Sequence, residues 1–471
     1  MQSRTQGQSD DNARSVIVVG AGIAGLICAI ELHRAGQPVL LLEQASDVGG
    51  RVRSTVTDGI TIDHGFQVLF TAYPTLRDYL DVDALALRTF QPAARIVQNG
   101  NASLIGDALR DPALLLDTIL ARAVPLGDKL RLLALRRFAT RLSIDDCFHT
   151  RFASVSTREF LRSRGFSAAV IDGFFAPFYG GILLDRTLGT SASMLLFTFK
   201  MLAEGDTAVP AHGMGAITAQ LAAQLPRESI RVGVDVTALA ATDGRVTGVR
   251  LSDGSAFDAD DVVLATHAPA AAMLAATAGI KLQVPEGARG CTTLYFTSAS
   301  SSSLSSPQLR PQLRPQLLPG KALWLSGADN SARRAVVSHA ITLSNVAPEY
   351  VPSDMRARGV ALIAATAVGE AAELGDDEID REMRRDLSVM ATAGGHASAE
   401  QSVAALTRLA LWRVPYAQFA QPPGWREHRP TISCGMPGLW RASEVLHSSS
   451  LEGAARGGRD AARALLQHHH A

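Results

Sequence analysis

Two glycine-rich turns near the N-terminus contain the residues best suited to chemistry. In the first turn, Gly20, Gly22 and Gly25 have the spacing GxGxxG, and Glu43 follows about twenty residues later. Glycines at these positions permit a tight turn, close approach of the backbone to a pyrophosphate and close helix packing, and a helix N-terminus favours negative charge. The carboxylate of Glu43 can accept hydrogen bonds from ribose hydroxyls. The spacing therefore predicts a dinucleotide site rather than a purely structural turn.

The second turn, Gly49-Gly50-Arg51, comes directly after the next apolar strand. A domain that binds NAD normally continues here into another crossover helix, whereas this chain continues with GGRVRS and then GITIDHGFQVLF. Two glycines let the backbone approach a second part of a long dinucleotide, and Arg51 supplies a fixed fork of donors for phosphate oxygens. We therefore expect the second turn to contact another part of the same cofactor.

The neighbouring residues predict the elements that position both turns. Val16 to Val19 form a continuous apolar run, as expected of a parallel strand buried on both faces. Apolar residues then recur at helical spacing from residue 23 to residue 30, and PVLLLE forms a second strand. Between residues 108 and 163 the chain becomes helical and locally basic. Later, KALWLS, RAVVSHAITLSNV and GVALIAATAV are typical of strands of one sheet.

This combination resembles the FAD-binding signature of the flavin-containing amine oxidase and phytoene desaturase superfamily, in which a GG-R-x-x-S/T element follows the Rossmann unit. The later segments VDVTAL, DDVVLATHAPA and GLWRASEVLHSSSLEGAARGGRDAARAL carry the same resemblance. It implies non-covalent FAD, since RPTISCGMPGLWRASE shows no attachment cysteine at the usual spacing. The cofactor-binding residues that the resemblance implies are Gly20, Gly22, Ile23, Ala24, Gly25, Glu43, Gln44, Gly49, Gly50, Arg51, Gly65, Phe66, Gln67, Val236, Ala265, Thr266, Ser443, Glu444, Leu451, Glu452 and Ala454.

The resemblance also assigns roles to some of these residues. Phe66 and its neighbours are expected near the isoalloxazine, the backbone of Val236 near the adenine, and Glu444 near ribityl or phosphate-side hydroxyls. Glu452 opens the final helix, whose N-terminus can stabilise negative charge on a reduced flavin. Ser443 departs from the family pattern, which usually has glycine immediately before the acidic residue.

Within the superfamily, the phytoene-desaturase-like branch matches best. IDHGFQVLF, FFAPFYGGILLD and VPAHGMGAITAQLA resemble patterns of that branch, and ARGCTTLYFTS lacks the lysine that amine oxidases generally carry there. The resemblance implies an FAD-dependent oxidoreductase that desaturates or otherwise oxidises a long apolar substrate, such as a carotenoid or terpenoid, by hydride transfer to flavin N5. Two alternatives stay open: an oxidase of amines or heme precursors, and an FAD-bound isomerase or non-redox flavoprotein.

The sequence does not identify the catalytic residues. His212 and Tyr416 are candidates, against the alternatives of a structural hydrogen bond for the histidine and core packing for the tyrosine. Flavin chemistry of this kind needs few protein acids, because the cofactor accepts the hydride and a dry, shaped cavity positions the substrate. With a cavity of this kind, the resemblance implies a small apolar molecule as substrate.

Composition excludes several classes of protein. Lysine plus arginine and aspartate plus glutamate are both 45, which gives no net attraction to nucleic acid. The four cysteines are far apart, without a CxxC pair, so neither a disulfide framework nor a metal site is expected. The polar first residues lack the apolar core of a secretory signal, which favours a cytoplasmic location.

A basic and apolar helix, LGDKLRLLALRRFATRL, leaves membrane contact open. Leucines alternate with basic residues from Lys129 to Arg141. Such a helix is either an ordinary domain face or a patch that binds the membrane surface peripherally. The oligomeric state is not predicted.

The expected fold class is α/β, with a Rossmann-type FAD-binding domain and an interleaved α+β substrate domain of mixed sheet plus helices. A chain of 471 residues is too long for one ordinary core. The predicted FAD-binding ranges are 14–75, 205–285 and 430–466, and the predicted substrate-domain ranges are 76–204 and 286–429. The Ser run and PQLRPQLRPQLL repeat within 297–320 predict a flexible insertion.

Overall fold

The computed structural model describes residues 14–121, 124–298, 316–327 and 334–470. Its strands are β1 (Val16–Val19), β2 (Val39–Glu43), β3 (Ser54–Thr57), β4 (Ile60–Asp63), β5 (Leu69–Phe70), β6 (Arg88–Thr89), β7 (Ala93–Gln98), β8 (Asn101–Gly106), β9 (Thr207–Val209), β10 (Ile230–Val232), β11 (Val236–Thr242), β12 (Arg245–Leu251), β13 (Ala256–Asp258), β14 (Asp261–Leu264), β15 (Ala288–Thr297), β16 (Leu323–Ser326), β17 (His339–Thr342), β18 (Leu362–Val368), β19 (Thr407–Phe419) and β20 (Leu439–Arg441). Its α-helices are α1 (Ile23–Arg34), α2 (Pro74–Arg77), α3 (Leu115–Leu120), α4 (Leu126–Arg141), α5 (Ile144–Cys147), α6 (Thr150–Ala153), α7 (Thr157–Ser163), α8 (Ala168–Val170), α9 (Ala176–Ile182), α10 (Ala192–Glu204), α11 (Gly215–Ala222), α12 (Ala268–Ala276), α13 (Leu343–Val346), α14 (Ser353–Ala357), α15 (Asp376–Ala393), α16 (Ala399–Ala404) and α17 (Leu451–His469).

A five-stranded parallel sheet forms one half of the molecule. Its order is β10-β2-β1-β14-β20, which in chain order reads 3-2-1-4-5 and matches the doubly wound dinucleotide-binding arrangement. In β1, Val18 pairs with Leu41 on one side and with Val263 on the other. These three residues are fully buried, as expected for strands covered on both faces. The carboxyl ends of β1, β2 and β14 therefore meet at one edge of the sheet.

Helices α1 and α17 cover this sheet and pack closely on each other. A Cβ atom built at Gly458 of α17 would lie 2.2 Å from the carbonyl oxygen of Ala24 in α1. Only glycine permits that approach, because a contact of this length between heavy atoms is a steric overlap. Helices α1 and α17 are thereby held in one core.

A seven-stranded mixed sheet forms the second half. Its order is β19-β15-β18-β17-β16-β7-β8, with a parallel pair between β16 and β7 and antiparallel pairs elsewhere. Helices α3 to α10 come between β8 and β9 in the chain, and three smaller sheets complete the fold.

The predicted α/β class with a mixed sheet and helices is confirmed. All strands of the parallel sheet lie within the ranges 14–75, 205–285 and 430–466, and all strands of the mixed sheet lie within 76–204 and 286–429. Most of the predicted flexible insertion, residues 299–315, lies outside the described residues, so that interpretation stays a prediction. Among the helices that the structure describes, none is both long and apolar enough to cross a bilayer.

Candidate active site

The GxGxxG turn connects β1 to α1 at the carboxyl edge of the parallel sheet. Gly20 has φ +105°, and a Cβ atom there would lie 3.0 Å from the backbone of Ala265. A Cβ atom on Gly25 would lie 1.9 Å from the carbonyl oxygen of Gly20, whereas the space beside Gly22 is open within 4 Å. Two glycines thus close the turn, and the third leaves room for a ligand. No side chain caps the N-terminus of α1, so its first N–H groups are available to a phosphate.

Glu43 ends β2 beside this turn. One oxygen of its carboxylate accepts a hydrogen bond from the N–H of Ala21 at 2.8 Å, and the other accepts one from the N–H of Ala45 at 2.9 Å. These bonds fix the carboxylate at the wall of a large cavity, which Val236 of β11 also lines. The arrangement suits the ribose and base of an adenosine, since the carboxylate keeps further acceptor capacity for hydroxyls.

The second glycine turn lies directly against the first. Gly50 has φ +55°, and a Cβ atom built on it would lie 3.4 Å from the Cα atom of Gly22. Gly49 has φ +121° and is enclosed more tightly, with the carbonyl oxygen of Val52 at 2.6 Å from its built Cβ. The two turns therefore form opposite sides of one groove, as expected if both contact the same long ligand.

Arg51 is held by protein groups at the groove. Its Nη2 donates to Oε1 of Glu444 at 2.7 Å, and its Nη1 donates to the carbonyl oxygen of Ala417 at 3.0 Å. The sequence predicted that this side chain offers a fixed fork for phosphate oxygens. In the structure two of its five N–H donors hold Glu444 and Ala417, and Arg51 still lines the cavity. A phosphate contact through the remaining donors stays a prediction.

Glu444 is buried, with 5% of its surface exposed. Burial by itself would raise the pKa of this carboxyl group, but the charge of Arg51, its hydrogen bond, and the bonds from the backbone and Ser443 outweigh burial and leave the pKa below its ordinary value. Glu444 is therefore ionised at neutral pH. Ser443 donates its hydroxyl to Oε2 of Glu444 at 3.1 Å, so the serine that replaces the usual glycine supports the carboxylate and does not point into the cavity.

One cavity of about 1500 Å³ joins these groups. Ligand pockets commonly measure about 300–1,000 Å³, so this space accommodates a dinucleotide together with a second molecule. Of the residues predicted from the sequence, the cavity is lined by Gly20, Gly22, Ile23, Ala24, Glu43, Gln44, Gly49, Gly50, Arg51, Gly65, Phe66, Gln67, Val236, Ala265, Thr266, Tyr416, Glu444, Leu451 and Ala454.

Four predicted residues do not line the cavity. Gly25 and Ser443 act behind its wall, as described above. The carboxylate of Glu452 accepts hydrogen bonds from the N–H groups of Thr75 and Leu76, both at 3.1 Å. Its charge is thus committed to joining α17 to α2, which corrects the expectation that it faces a cofactor. The candidate His212 lies exposed on a turn outside the cavity.

The loop Gly65-Phe66-Gln67 joins the two sheets at the centre of the cavity. The N–H of Phe66 donates to Oγ1 of Thr293 at 3.1 Å, and the hydroxyl of Tyr295 donates to the carbonyl oxygen of Gly65 at 3.2 Å. The amide of Gln67 donates to the carbonyl oxygens of Arg51 and His64. The same loop therefore contacts the second glycine turn and the mixed sheet, which fixes the two halves of the cavity relative to each other.

Several polar atoms at the cavity wall have no hydrogen-bond partner among the described residues. They include Oγ1 of Thr266, Nε2 of His64 and the hydroxyl of Tyr416. Burial raises the pKa of Tyr416 to about 12 and lowers that of His64 to about 4, so both side chains are neutral at pH 7. Buried polar atoms are normally satisfied, and these atoms are consistent with a polar ligand that supplies their partners.

The substrate half of the cavity is aromatic and aliphatic. It is lined by Phe174, Phe178, Tyr179, Phe197, Phe199 and Leu202. Residues that sequence reasoning missed also lie here, including His339 of β17 and Thr366 of β18. No local motif marks these two residues, since a histidine and a threonine within apolar strands are common. Only the pairing of β17 with β18 brings them to the cavity.

The residues present fit a flavin dinucleotide. An uncapped helix N-terminus, a glycine that leaves open space and a carboxylate beside the sheet edge match the adenosine and pyrophosphate end. Further along the same cavity lie the second turn, the ion pair of Arg51 with Glu444, and Thr266, whose hydroxyl has no partner among the described residues. The observation that decides the fit is that the two glycine turns lie in contact and line the same cavity, so one ligand can reach both.

Comparison with known proteins supports this interpretation. A 4,4'-diapolycopene oxygenase of Methylomonas sp is 42% identical over 84 residues, which is 16% of this chain and 17% of that protein. A lycopene-forming phytoene desaturase of Pseudescherichia vulneris is 27% identical over 277 residues, 53% of this chain and 55% of that one. The matches therefore span about one sixth to about half of these curated relatives.

A solved structure and a family profile extend the likeness over the chain. A candidate protoporphyrinogen oxidase from Exiguobacterium sp. 255-15 superposes with a TM-score of 0.68 over 98% of this chain and 100% of that chain. At 18% identity this likeness shows the fold alone. The profile of the flavin containing amine oxidoreductases matches residues 23–466. The chain therefore belongs to the family of flavin-containing amine oxidoreductases.

Proposed function

We propose that the protein is an FAD-dependent oxidoreductase that oxidises a long apolar substrate of the carotenoid or terpenoid class. The observation that carries this proposal is one continuous cavity, which extends from the two glycine turns into an aromatic half and reaches exposed residues of α3 and α4. When bound, the flavin supplies a hydride acceptor at N5. The protein groups bind and orient both molecules and keep water away from them.

Each half of the cavity has its own task in this proposal. Arg51 holds the ionised Glu444 at the cofactor side, where the carboxylate can accept hydrogen bonds from ribityl hydroxyls. The backbone N–H of Phe66 donates to Thr293, and in this proposal the side chain of Phe66 lies between the polar half and the apolar half. The aromatic residues of α9 and α10 exclude water and offer flat contact surfaces to a polyene.

An amine substrate fits less well. Strand β15, where the family's amine oxidases generally carry a lysine, contains none. Among the described lining residues, Lys129 is the one lysine, and it donates to the carbonyl oxygens of Ile119 and Ala121 at the opening of the cavity. No ammonium group is thus positioned to hold a water at the reacting centre.

Non-covalent attachment of FAD is part of the proposal. Of the four buried cysteines, only Cys291 lines the cavity. Burial raises the pKa of its thiol to about 11, so it stays protonated at neutral pH and is a poor nucleophile. Cys434 lies in the segment nearest the family's attachment position, but it does not line the cavity.

Purified protein is expected to release FAD on acid or heat treatment and to lose its visible flavin absorption anaerobically with a polyene substrate. Acid disrupts the ion pair and hydrogen bonds that hold the cofactor without breaking a covalent bond. The measurements are chromatography of the released nucleotide and anaerobic titration with phytoene-like polyenes and, separately, with primary amines.

The other outcomes identify the alternatives. Bleaching with amines and release of hydrogen peroxide, but no bleaching with polyenes, would indicate an amine oxidase. Reaction with a reduced porphyrin precursor would indicate a heme-precursor oxidase. Interconversion of polyene isomers without any net reduction of the flavin would indicate a non-redox flavoprotein. Recovery of NAD, or of no nucleotide after expression with ample flavin, would contradict the cofactor assignment itself.

We also propose that the opening of the cavity docks on an anionic lipid surface. Eight of the twelve large apolar side chains that are exposed in the described chain lie between residues 109 and 133. We call this set the apolar rim, and it consists of Leu109, Leu115, Leu116, Ile119, Leu120, Leu126, Leu130 and Leu133. All but Leu116 and Leu120 also line the cavity. Concentrated apolar exposure of this kind marks an interaction surface, and lipid is the phase in which a long apolar substrate is dissolved.

Charge on α4 favours an anionic surface. Leu126, Leu130 and Leu133 follow one another at helical spacing, and the exposed Arg137 and Arg141 continue the same stripe. Asp117 is an exposed acidic residue on α3, so the positive charge is concentrated on the α4 side of the rim. In this proposal the leucines lie against acyl chains and the arginines against headgroups.

Flotation of the FAD-loaded protein with vesicles tests the docking. Vesicles with phosphatidylglycerol are expected to bind more protein than vesicles of phosphatidylcholine alone, and added salt should reduce the difference. Arg137→Ala with Arg141→Ala should weaken binding to anionic vesicles by roughly tenfold to thirtyfold. Leu116→Glu with Leu120→Glu should remove binding to both kinds of vesicle. Val56→Glu with Val389→Glu is the matched control, because both valines are exposed and far from the rim in the chain.

Two results would contradict the docking. The first is equal flotation of the parent and the Leu116/Leu120 variant. The second is a parent dimer that dissociates when Leu116 and Leu120 are replaced, since the rim would then be an interface between two copies of the chain. Sedimentation of both proteins without vesicles separates these cases.

A further inference from the structure

His339 has an unusual position in the aromatic half of the cavity. It is the first residue of β17 and pairs with Thr366 of β18. Its side chain is buried, with 5% of the residue exposed, and it lines the cavity. Neither Nδ1 nor Nε2 has a hydrogen-bond partner among the described residues. A buried imidazole with two unsatisfied nitrogens is costly, so a ligand is the natural source of its partners.

The imidazole of His339 packs against Gly181 and Phe66. A Cβ atom built on Gly181 would lie 3.0 Å from Nδ1, and both ring nitrogens are covered by protein atoms. A substrate oxygen would therefore reach a nitrogen only when the ring turns toward the cavity. The ring of Phe66 lies 4.9 Å from the imidazole, centroid to centroid. Because Phe66 stands at the junction of the two halves, His339 faces the place where the substrate meets the cofactor.

His339 itself is neutral at pH 7 and lies near the charged side chain of Arg186. Burial, and secondarily the charge of Arg186, lower the pKa of His339 to about 4. Thr366 also lines the cavity, and its hydroxyl is hydrogen-bonded to that of Thr293 at 3.0 Å. A neutral imidazole offers one donor and one acceptor, and a threonine hydroxyl offers both. This pair suits a hydroxyl or carbonyl oxygen, whereas an ammonium group would meet the repulsion of Arg186.

We propose that His339, with Thr366, forms a polar subsite that binds a hydroxyl or carbonyl oxygen on the otherwise apolar substrate. The protein would then prefer an oxygenated isoprenoid over the corresponding hydrocarbon. This inference rests on the proposed function for the class of substrate, but it concerns binding alone. The side chain is a positioning residue, since it acts by fixing the substrate beside the cofactor.

The test compares two ligands that differ only in oxygen. FAD-loaded protein is titrated with a C20 polyprenyl alcohol and with the matching C20 hydrocarbon, and the change in the visible flavin spectrum gives each Kd. The parent is expected to bind the alcohol at least about tenfold more tightly. His339→Leu should bind both ligands equally, with the Kd of the hydrocarbon unchanged. His212→Leu, which replaces an exposed histidine outside the cavity, should keep the preference of the parent.

A second readout separates a binding role from a structural one. In the substrate-free protein, His339→Leu removes two unsatisfied nitrogens and is expected to raise the midpoint of thermal unfolding by about 1–3 °C. A structural histidine would lower it. Because leucine also changes the shape of the pocket, His339→Gln serves as the conservative variant, and its amide should restore part of the preference for the alcohol.

The outcomes are distinct from those of the proposed function. Equal binding of alcohol and hydrocarbon by the parent would overturn the subsite even if the polyene is oxidised. A loss of FAD affinity in His339→Leu would also overturn it, because the histidine would then bind the cofactor. A preference for the alcohol without any oxidation would support the subsite while the proposed reaction fails.

Discussion

Replacing Arg51 with alanine is expected to weaken FAD binding by roughly tenfold to a hundredfold. The guanidinium donates to Glu444 at 2.7 Å and to the carbonyl oxygen of Ala417 at 3.0 Å. Without it, Glu444 keeps a buried charge that has lost its main partner, and such a carboxylate either moves or takes up a proton. In both cases it no longer presents an ionised acceptor to the cofactor.

Fluorescence titration of the apo-protein with FAD measures this effect, and circular dichroism confirms the fold. Arg51→Lys should recover only part of the affinity, because a point charge cannot replace the two-pronged contact. Glu444→Gln combined with Arg51→Ala should cost less than the sum of the single changes, since both remove one interaction. Arg381→Ala, at a mostly exposed arginine of α15, is the control. A folded Arg51→Ala protein with the affinity of the parent would contradict the role of the pair.

The ion pair also has a predicted pH dependence. The pKa of Glu444 is lowered in the folded protein, so the pair stabilises the fold above the unfolded pKa of about 4.3. That stabilisation is lost as pH falls through the lower, folded pKa. The difference in unfolding free energy between the parent and Arg51→Ala should therefore be largest at neutral pH and shrink below about pH 4.

The nucleotide half could be predicted because its signals are local. The GxGxxG turn, the acidic end of β2 and the second glycine turn lie within the first 51 residues. The glycines indicate where the backbone must turn tightly or approach a ligand, and the glutamate indicates a side-chain acceptor at the end of the strand. The parallel sheet could be predicted for the same reason, since strands buried on both faces are apolar throughout.

The substrate half could be predicted only in outline. His339 and Thr366 become neighbours through pairing of β17 with β18, and nothing in their own segments marks them. Arg51 and Glu444 are 393 positions apart in the sequence. Their hydrogen bond is therefore a result of tertiary packing, which the local sequence does not show. Glu452 was expected near the cofactor from its place in the final helix, but its carboxylate accepts hydrogen bonds from the N–H groups of α2, a contact made by tertiary packing.

The helix α4 shows why periodicity alone did not decide its role. Its leucines suggested either a domain face or a membrane-contacting patch. In the structure Leu135 and Ala139 are buried, while Leu126, Leu130 and Leu133 are exposed. Both faces of this helix carry leucine, so the sequence pattern could not tell which face packs on the protein.

Replacing Gly50 with valine is expected to have a larger effect still and to reduce FAD affinity on the order of a hundredfold or more. The residue has φ +55°, and its built Cβ lies 3.4 Å from the Cα atom of Gly22. A β-branched side chain is strained in this conformation, and it would project into the groove between the two glycine turns. The groove would then be too narrow for the phosphates and the sugar chain of the cofactor.

The control variant Gly36→Val distinguishes the effect of backbone strain from the effect of a side chain that obstructs the groove. Gly36 has φ +79° and nothing within 4 Å of its built Cβ, so valine there carries a similar backbone strain of about 1–3 kcal/mol away from the cavity. Both variants should lose a similar free energy of unfolding in urea, but only Gly50→Val should lose FAD. Equal FAD affinity in the two folded variants would mean that Gly50 serves only as a turn.

Gly50→Asn relieves most of the strain, because asparagine tolerates positive φ, but it still places a side chain in the groove. Its FAD affinity should therefore stay low while its stability recovers, which assigns the loss to the groove itself.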